Sequence, residues 1–112
     1  MNDPSLREMQ APLLVLGVFA GHFWHLPAPT VSVSSVFPDR LDLDFFDTPA
    51  AFEAWREALG IAPQTISERV QRNGVNRVLE VEAEWGGARL RLRSFAPVLT
   101  LSEERSRVEV AS

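Results

Sequence analysis

Apolar and polar residues alternate most strictly between Val75 and Pro97, where Leu79, Val81, Ala83 and Trp85 interleave with Glu80, Glu82 and Glu84. Leu90 and Leu92 then interleave with Arg89, Arg91 and Arg93. Period-two alternation marks a strand with one buried face. Gly86-Gly87 between the two runs reads as a tight hairpin turn, because glycine supplies positive φ without steric cost. Counting outward sets Glu84 opposite Arg89, Glu82 opposite Arg91 and Glu80 opposite Arg93. On the other face Leu79, Val81, Ala83 and Trp85 meet Ser94, Leu92, Leu90 and Ala88. A one-residue slip would destroy both the charge ladder and the apolar face, so this register is strongly specified.

The remaining elements are placed around that hairpin. Residues 1–10 are polar, with a short helical turn expected from Asp3 as cap and Pro4 as first helical residue. Ala11 to His25 reads as a helix, with Pro12 acceptable in its first turn. Its apolar residues run almost all round, Leu13, Leu14, Val15, Leu16, Val18, Phe19 and Phe23 among them, and Gly17 and Gly21 share one side. Burial on two sides is the expectation, one against a sheet and one against a second subunit. Leu26-Pro27-Ala28-Pro29 ends the helix. Thr30 to Phe37 and Leu41 to Phe46 then read as a second hairpin around Pro38-Asp39-Arg40, pairing Phe37 with Leu41 and Val33 with Phe45. That puts Val31, Val33, Phe37, Leu41, Leu43 and Phe45 on one face and leaves Asp42 and Asp44 outside.

Thr48 as N-cap, Pro49 as first helical residue and Gly60 as stop bound a second helix. Phe52, Trp55 and Leu59 form its apolar stripe, with Glu53, Arg56 and Glu57 facing water. Gln64 to Arg72 reads in two ways. As a helix it would complete a helix-turn-helix; as a strand it would turn at Asn73-Gly74 into Val75. The strand is preferred, because Asn-Gly is the strongest short hairpin signal. It sets Ile66 opposite Val81, Glu68 opposite Leu79 and Val70 beside Arg77, with Glu68 and Arg77 placed to pair. Val98 to Leu101 is apolar and the rest of the tail polar, fraying or adding an edge strand at Arg107 to Val110. The order α-β-β-α-β-β-β predicts one α+β domain over residues 1–112, with an antiparallel sheet and peripheral ends at 1–10 and 102–112.

Composition narrows the chemistry. A chain of 112 residues with 46% hydrophobic residues is expected to bury roughly 65% of its unfolded surface as one domain. Cysteine is absent, which removes disulfides, zinc-thiolate sites and thiol nucleophiles. All eleven basic residues are arginine and tyrosine is absent, so there is no Schiff-base lysine, P-loop lysine or tyrosine acid. The net charge of −4 argues against a dedicated nucleic-acid binder. Pro12 to Trp24 is too short to span a bilayer, and the start lacks the positive region of a secretory signal. The expected compartment is the cytoplasm.

Each candidate site has an ordinary explanation beside it. Arg89, Arg91 and Arg93 resemble a phosphate strip, but the hairpin register gives each a glutamate across from it. Asp42 and Asp44 project from one face about 7 Å apart and could seed a divalent-cation site, although alternating aspartate also keeps a half-exposed strand soluble. His22 and His25 have no third ligand nearby and suit a helix C-terminus. Neither G-x-S-x-G, a glycine-rich phosphate loop nor H-E-x-x-H is present. No metal ligand, catalytic residue or cofactor is therefore assigned. Trp24, Trp55 and Trp85 are expected in the core, with Trp85 partly open beside its turn; Trp85 and Phe46 are the aromatic anchors offered to a partner.

The runs His25 to Pro29, Pro38 to Leu43 and Phe52 to Ile61 (FEAWREALGI) resemble small uncharacterised proteins of high-GC actinobacteria, over roughly residues 12 to 97. The resemblance implies a bacterial accessory protein and transfers no functional residue. The function expected is a non-enzymatic module that binds another protein in a regulatory or inhibitory role, as a homodimer, through Phe46, Asp42, Asp44, Trp85 and Leu14. The alternative is a nucleic-acid-binding regulator using Arg69, Arg72 and Asn73 on a helix at 64–73. A metal-dependent enzyme built on Asp42, Asp44 and a histidine is the third.

Overall fold

The computed structural model describes residues 4–71, 74 and 76–97. It is an α+β fold in which two helices cover one face of a five-stranded sheet. The elements are α1 (Gln10–His22), β1 (Thr30–Val33), β2 (Arg40–Phe46), α2 (Pro49–Ala58), β3 (Ser67–Val70), β4 (Asn76–Trp85) and β5 (Ala88–Pro97). The order of elements is the expected one. In space the strands run β1-β2-β5-β4-β3, which puts the last of the described strands at the centre.

The β4–β5 hairpin forms in the register counted from its turn, from Trp85 opposite Ala88 through Glu80 opposite Arg93 to Leu79 opposite Ser94. Gly86 and Gly87 both have positive φ, 57° and 84°. Gly86 is needed twice over, since a Cβ built there would lie 3.0 Å from Val15 Cγ2 of α1 packed across the turn. The β3–β4 register is likewise the expected one, with Glu68 opposite Leu79 and Val70 opposite Arg77. The Arg77 and Glu68 side chains meet at 2.9 Å. Where β3 gives way to β4, the Gln71 amide donates to the Asn76 carbonyl and the Asn76 side chain to Gln71 Oε1. Arg72, Asn73, Val75 and the tail from Val98, including the possible strand at Arg107 to Val110, lie outside the described residues.

Several expectations are corrected. The sheet is mostly antiparallel, as expected, with one parallel pair that makes it mixed: β2 and β5, Asp42 beside Arg91 and Asp44 beside Arg93. The first hairpin pairs Val33 with Leu41 and Val31 with Leu43, four residues out of the expected register. The chain leaves β1 at Val33, and a turn closes when the Arg40 amide donates to the Phe37 carbonyl, so Phe37 belongs to the loop. A shift of four preserves strand parity, and Val31, Val33, Leu41, Leu43 and Phe45 therefore still share a face. Helix α1 ends at His22, with Phe23 as its cap and His25 beyond it. The short N-terminal turn is a 3-10 helix at Leu6–Met9 capped from Ser5, whose amide donates to Glu8 Oε2 at 2.7 Å.

The core lies between the helices and the sheet. Leu41, Leu43, Phe45, Leu90, Leu92 and Val81 line the sheet side, facing Val15 and Phe19 of α1 and Phe52 and Trp55 of α2. Phe19 is its aromatic hub, 5.0 Å from the Trp85 ring and 5.7 Å from Trp55. Thr48 and Pro49 start α2 as expected, although Thr48 caps through its carbonyl alone. Arg56, expected to face water, instead folds back to donate to the Ile61 carbonyl and to Glu53. Trp24, expected in the core, is 77% exposed.

Candidate functional site

The molecule offers two surfaces with chemistry, one on each side of the sheet. On the side away from the helices, even-numbered residues of β2 and β4 and odd-numbered residues of β5 form rows across the strands. One row is Glu82, Arg91, Asp42 and Ser32; the next is Glu80, Arg93, Asp44 and Thr30. The parallel neighbour decides how the charges pair. Arg91 donates to both oxygens of Asp42 (3.1 and 2.9 Å), and Arg93 to both oxygens of Asp44 (2.9 and 2.8 Å). A fork-to-fork pair of this kind is more favourable than a single contact to a flexible glutamate.

Arg40 adds a third cation, 2.9 Å from Asp42 Oδ1 and with its guanidinium 4.0 Å from the Phe37 ring centroid. Glu80 adds a third anion, 3.9 Å from Arg91. Three guanidinium groups thus face three carboxylates, and the lattice is neutral. Asp42 and Asp44 are only 7% and 8% exposed. The hydrogen bonds that Arg93 donates to Asp44 hold the guanidinium pKa above its ordinary value, against the opposing effect of burial.

This arrangement corrects the picture of Asp42 and Asp44 as solvent-facing carboxylates available to a partner or a cation. Their oxygens are occupied by arginine, and a metal ion would have to displace two guanidinium groups. Among the described residues no group of three or more His, Cys, Asp or Glu is gathered to hold a metal. His22 and His25 lie exposed beside Phe23 and Trp24. The nucleic-acid alternative required a helix at 64–73, whereas Ser67–Val70 is a strand with Arg69 exposed on it.

Beyond the charge lattice the outer face turns apolar. Val78, Phe95 and Phe46 form one row across β4, β5 and β2, with the Phe46 and Phe95 rings stacked at 5.1 Å. Phe46 is 55% exposed, as an anchor for a partner must be. Trp85 is on the other side of the sheet and packs edge-on to Phe19, so it is a core residue with one edge open.

The second surface is the outward side of α1. Pro12, Val15 and Phe19 point into the core, while Leu13, Leu14, Gly17, Val18, Ala20 and Gly21 are exposed. No polar side chain occurs from Ala11 to Gly21. Leu14 is 63% and Val18 49% exposed, and a helix apolar all round is normally buried all round. The glycines are unexplained within the fold. A Cβ built at Gly17 or Gly21 meets nothing within 4 Å, and neither has positive φ. Each lowers helix stability by about 0.8–1.0 kcal/mol relative to alanine with no internal compensation. At the C-terminal end of α1 the surface deepens into an apolar groove of about 290 Å³ bordered by Ala20, Phe23, Trp24, Pro27, Val31 and Trp55. The Trp55 indole donates to the Pro27 carbonyl at 2.7 Å and so fixes the floor.

Comparison with protein-family models, curated proteins and solved structures returns no match. The function is therefore read from these two surfaces alone. Among the described residues no helix is long and apolar enough to cross a membrane. Sequence pattern had already singled out Leu14 and Phe46, and both are exposed. It did not identify Val18, Trp24 or the groove, although the unbroken apolar run from Ala11 to Gly21 was the available signal.

Proposed function

We propose that this protein is a non-enzymatic interaction module that binds another protein through the outward face of α1 and the adjoining groove, in a regulatory or inhibitory role. One observation carries the reading: α1 exposes leucine, valine, alanine and glycine along its length with no polar side chain from Ala11 to Gly21. Monomeric proteins rarely leave a contiguous apolar patch of several hundred Å² facing water. The charged residues of the lattice are ion-paired with one another, and only Arg40 Nε among the described residues is a buried side-chain nitrogen or oxygen without a hydrogen bond. The exposed Phe46 provides a smaller contact on the opposite side of the sheet.

The test is affinity capture from nuclease-treated lysate of the native cell, using the wild type, Leu14→Glu with Val18→Glu, and Phe46→Ser. Proteins retained by the wild type and lost with the α1 double variant support the reading. An identical captured set for all three overturns it. A set lost only with Phe46→Ser moves the binding surface to the outer face of the sheet.

A further inference from the structure

We infer that the occupant of the α1 face is α1 of a second copy of this chain, the two helices crossing about a two-fold axis at Gly17 and Gly21. This rests on the reading of α1 as a binding surface and deepens it: the protein seated on the helix face is a second copy, and the adjoining groove and Phe46 are left for a further partner. At helical spacing the two glycines lie along the outermost line of α1, Leu14 and Val18 form a ridge on one side, and Leu13 and Ala20 form a ridge on the other. A shallow furrow between two apolar ridges receives the matching furrow of another helix, and absent Cβ atoms let the backbones approach closely.

The identity of the partner follows from charge and area. The face has no charged or polar group to recognise a charged partner, and its complement must itself be uncharged, ridged and helical. The face is its own match, as an isologous interface requires. Leu13, Leu14, Val18 and Trp24, exposed by 39%, 63%, 49% and 77%, form this surface together with the glycine and alanine strip. A specific symmetric interface needs about 600 Å² from each copy at its lower bound, and these residues are the exposed apolar area with which α1 and its C-terminal end would supply it. The glycines also acquire a purpose that the isolated fold does not supply.

The absence of cysteine allows a clean test. The full chain carrying Gly17→Cys, Leu14→Cys or, on the opposite face, Glu82→Cys is oxidised at micromolar concentration, and the wild type is sedimented across a concentration series. We expect the wild type to sediment as a dimer and Gly17→Cys or Leu14→Cys to form disulfide-linked dimers, while Glu82→Cys stays monomeric. Gly17→Ala with Gly21→Ala should weaken association about tenfold or more while raising the melting temperature of the dilute protein. A misfolded variant could not give that pair of results. A monomeric wild type up to about 100 μM, or equal cross-linking from both faces, overturns the second-copy assignment. In that case, loss of a captured protein with Leu14→Glu and Val18→Glu would still uphold the α1 face as a binding surface for a different chain.

Discussion

The outer face of the sheet and the outer face of α1 are built from opposite materials. The sheet face contains a lattice of six charged groups, Arg40, Asp42, Asp44, Glu80, Arg91 and Arg93, held by short contacts. The helix face has no charge and no covering. Charge density would direct attention to the sheet, yet its charged groups already have partners. What sets apart the surface proposed to bind is incompletion: exposed leucine and valine, and glycines with nothing beside them.

The sharpest way to break this contrast is to open the lattice. Asp44→Ala leaves Arg93 without its bidentate partner at a site where the arginine side chain is only 21% exposed. Urea denaturation should show a loss of about 2–3 kcal/mol, because a partly buried guanidinium loses its bidentate partner and keeps only the more distant Asp42 and Glu80. A loss below about 0.5 kcal/mol would reduce the lattice to an ordinary surface pair. A double-mutant cycle at Asp42 and Arg91 comes next, with an expected coupling of about 1–2 kcal/mol. Near-zero coupling would shift the credit to Arg40, which contacts the same carboxylate.

On the helix face the sign should reverse. Gly17→Ala and Gly21→Ala should each stabilise the dilute protein by about 0.5–1 kcal/mol, since the added methyl has open space and restricts the unfolded chain. Destabilisation would mean that a neighbour within the fold needs the glycines. The smallest effect belongs to an exposed control, Glu53. The hydrogen bond from Arg56 holds its carboxyl below the usual value, so the stability it supplies is present above the ordinary glutamate range and lost as pH falls through the lowered value. Glu53→Gln should flatten that part of the acid-unfolding curve and leave neutral stability little changed.

How far each region was legible in the sequence follows from how local its determinants are. The β4–β5 register was readable to the residue, because Gly86-Gly87, the apolar alternation and the Glu/Arg alternation agree. Asn73-Gly74 likewise gave the β3–β4 register from a few neighbouring residues. The β1–β2 register was not readable, since Val36 and Phe37 continue the apolar pattern into what is a loop. The lattice was missed for a different reason. Its Asp–Arg contacts join residues 49 positions apart across a parallel pairing that no local signal announces. The hairpin count correctly placed the glutamates opposite the arginines, but the aspartates on the other side took the hydrogen bonds. The open face of α1 was legible as composition, in a run without a polar residue, but not as a position.

The central place of β5 has a consequence for how the chain comes to be folded. Every described element before it is made first, yet β2 has no inner neighbour until residues 88–97 have been synthesised and have left the ribosome. Until then Asp42 and Asp44 lack the arginines that bury them, and Leu41, Leu43 and Phe45 lack half their sheet. The local β4–β5 hairpin can close quickly, whereas docking β2 onto it requires closure of a long loop and sets a slower step. The N-terminal half is thus a nascent segment waiting for its template, with α1 already displaying its apolar side. A chaperone meeting this protein during translation would find α1 with both its faces open, before the central strand that its inner side packs against exists.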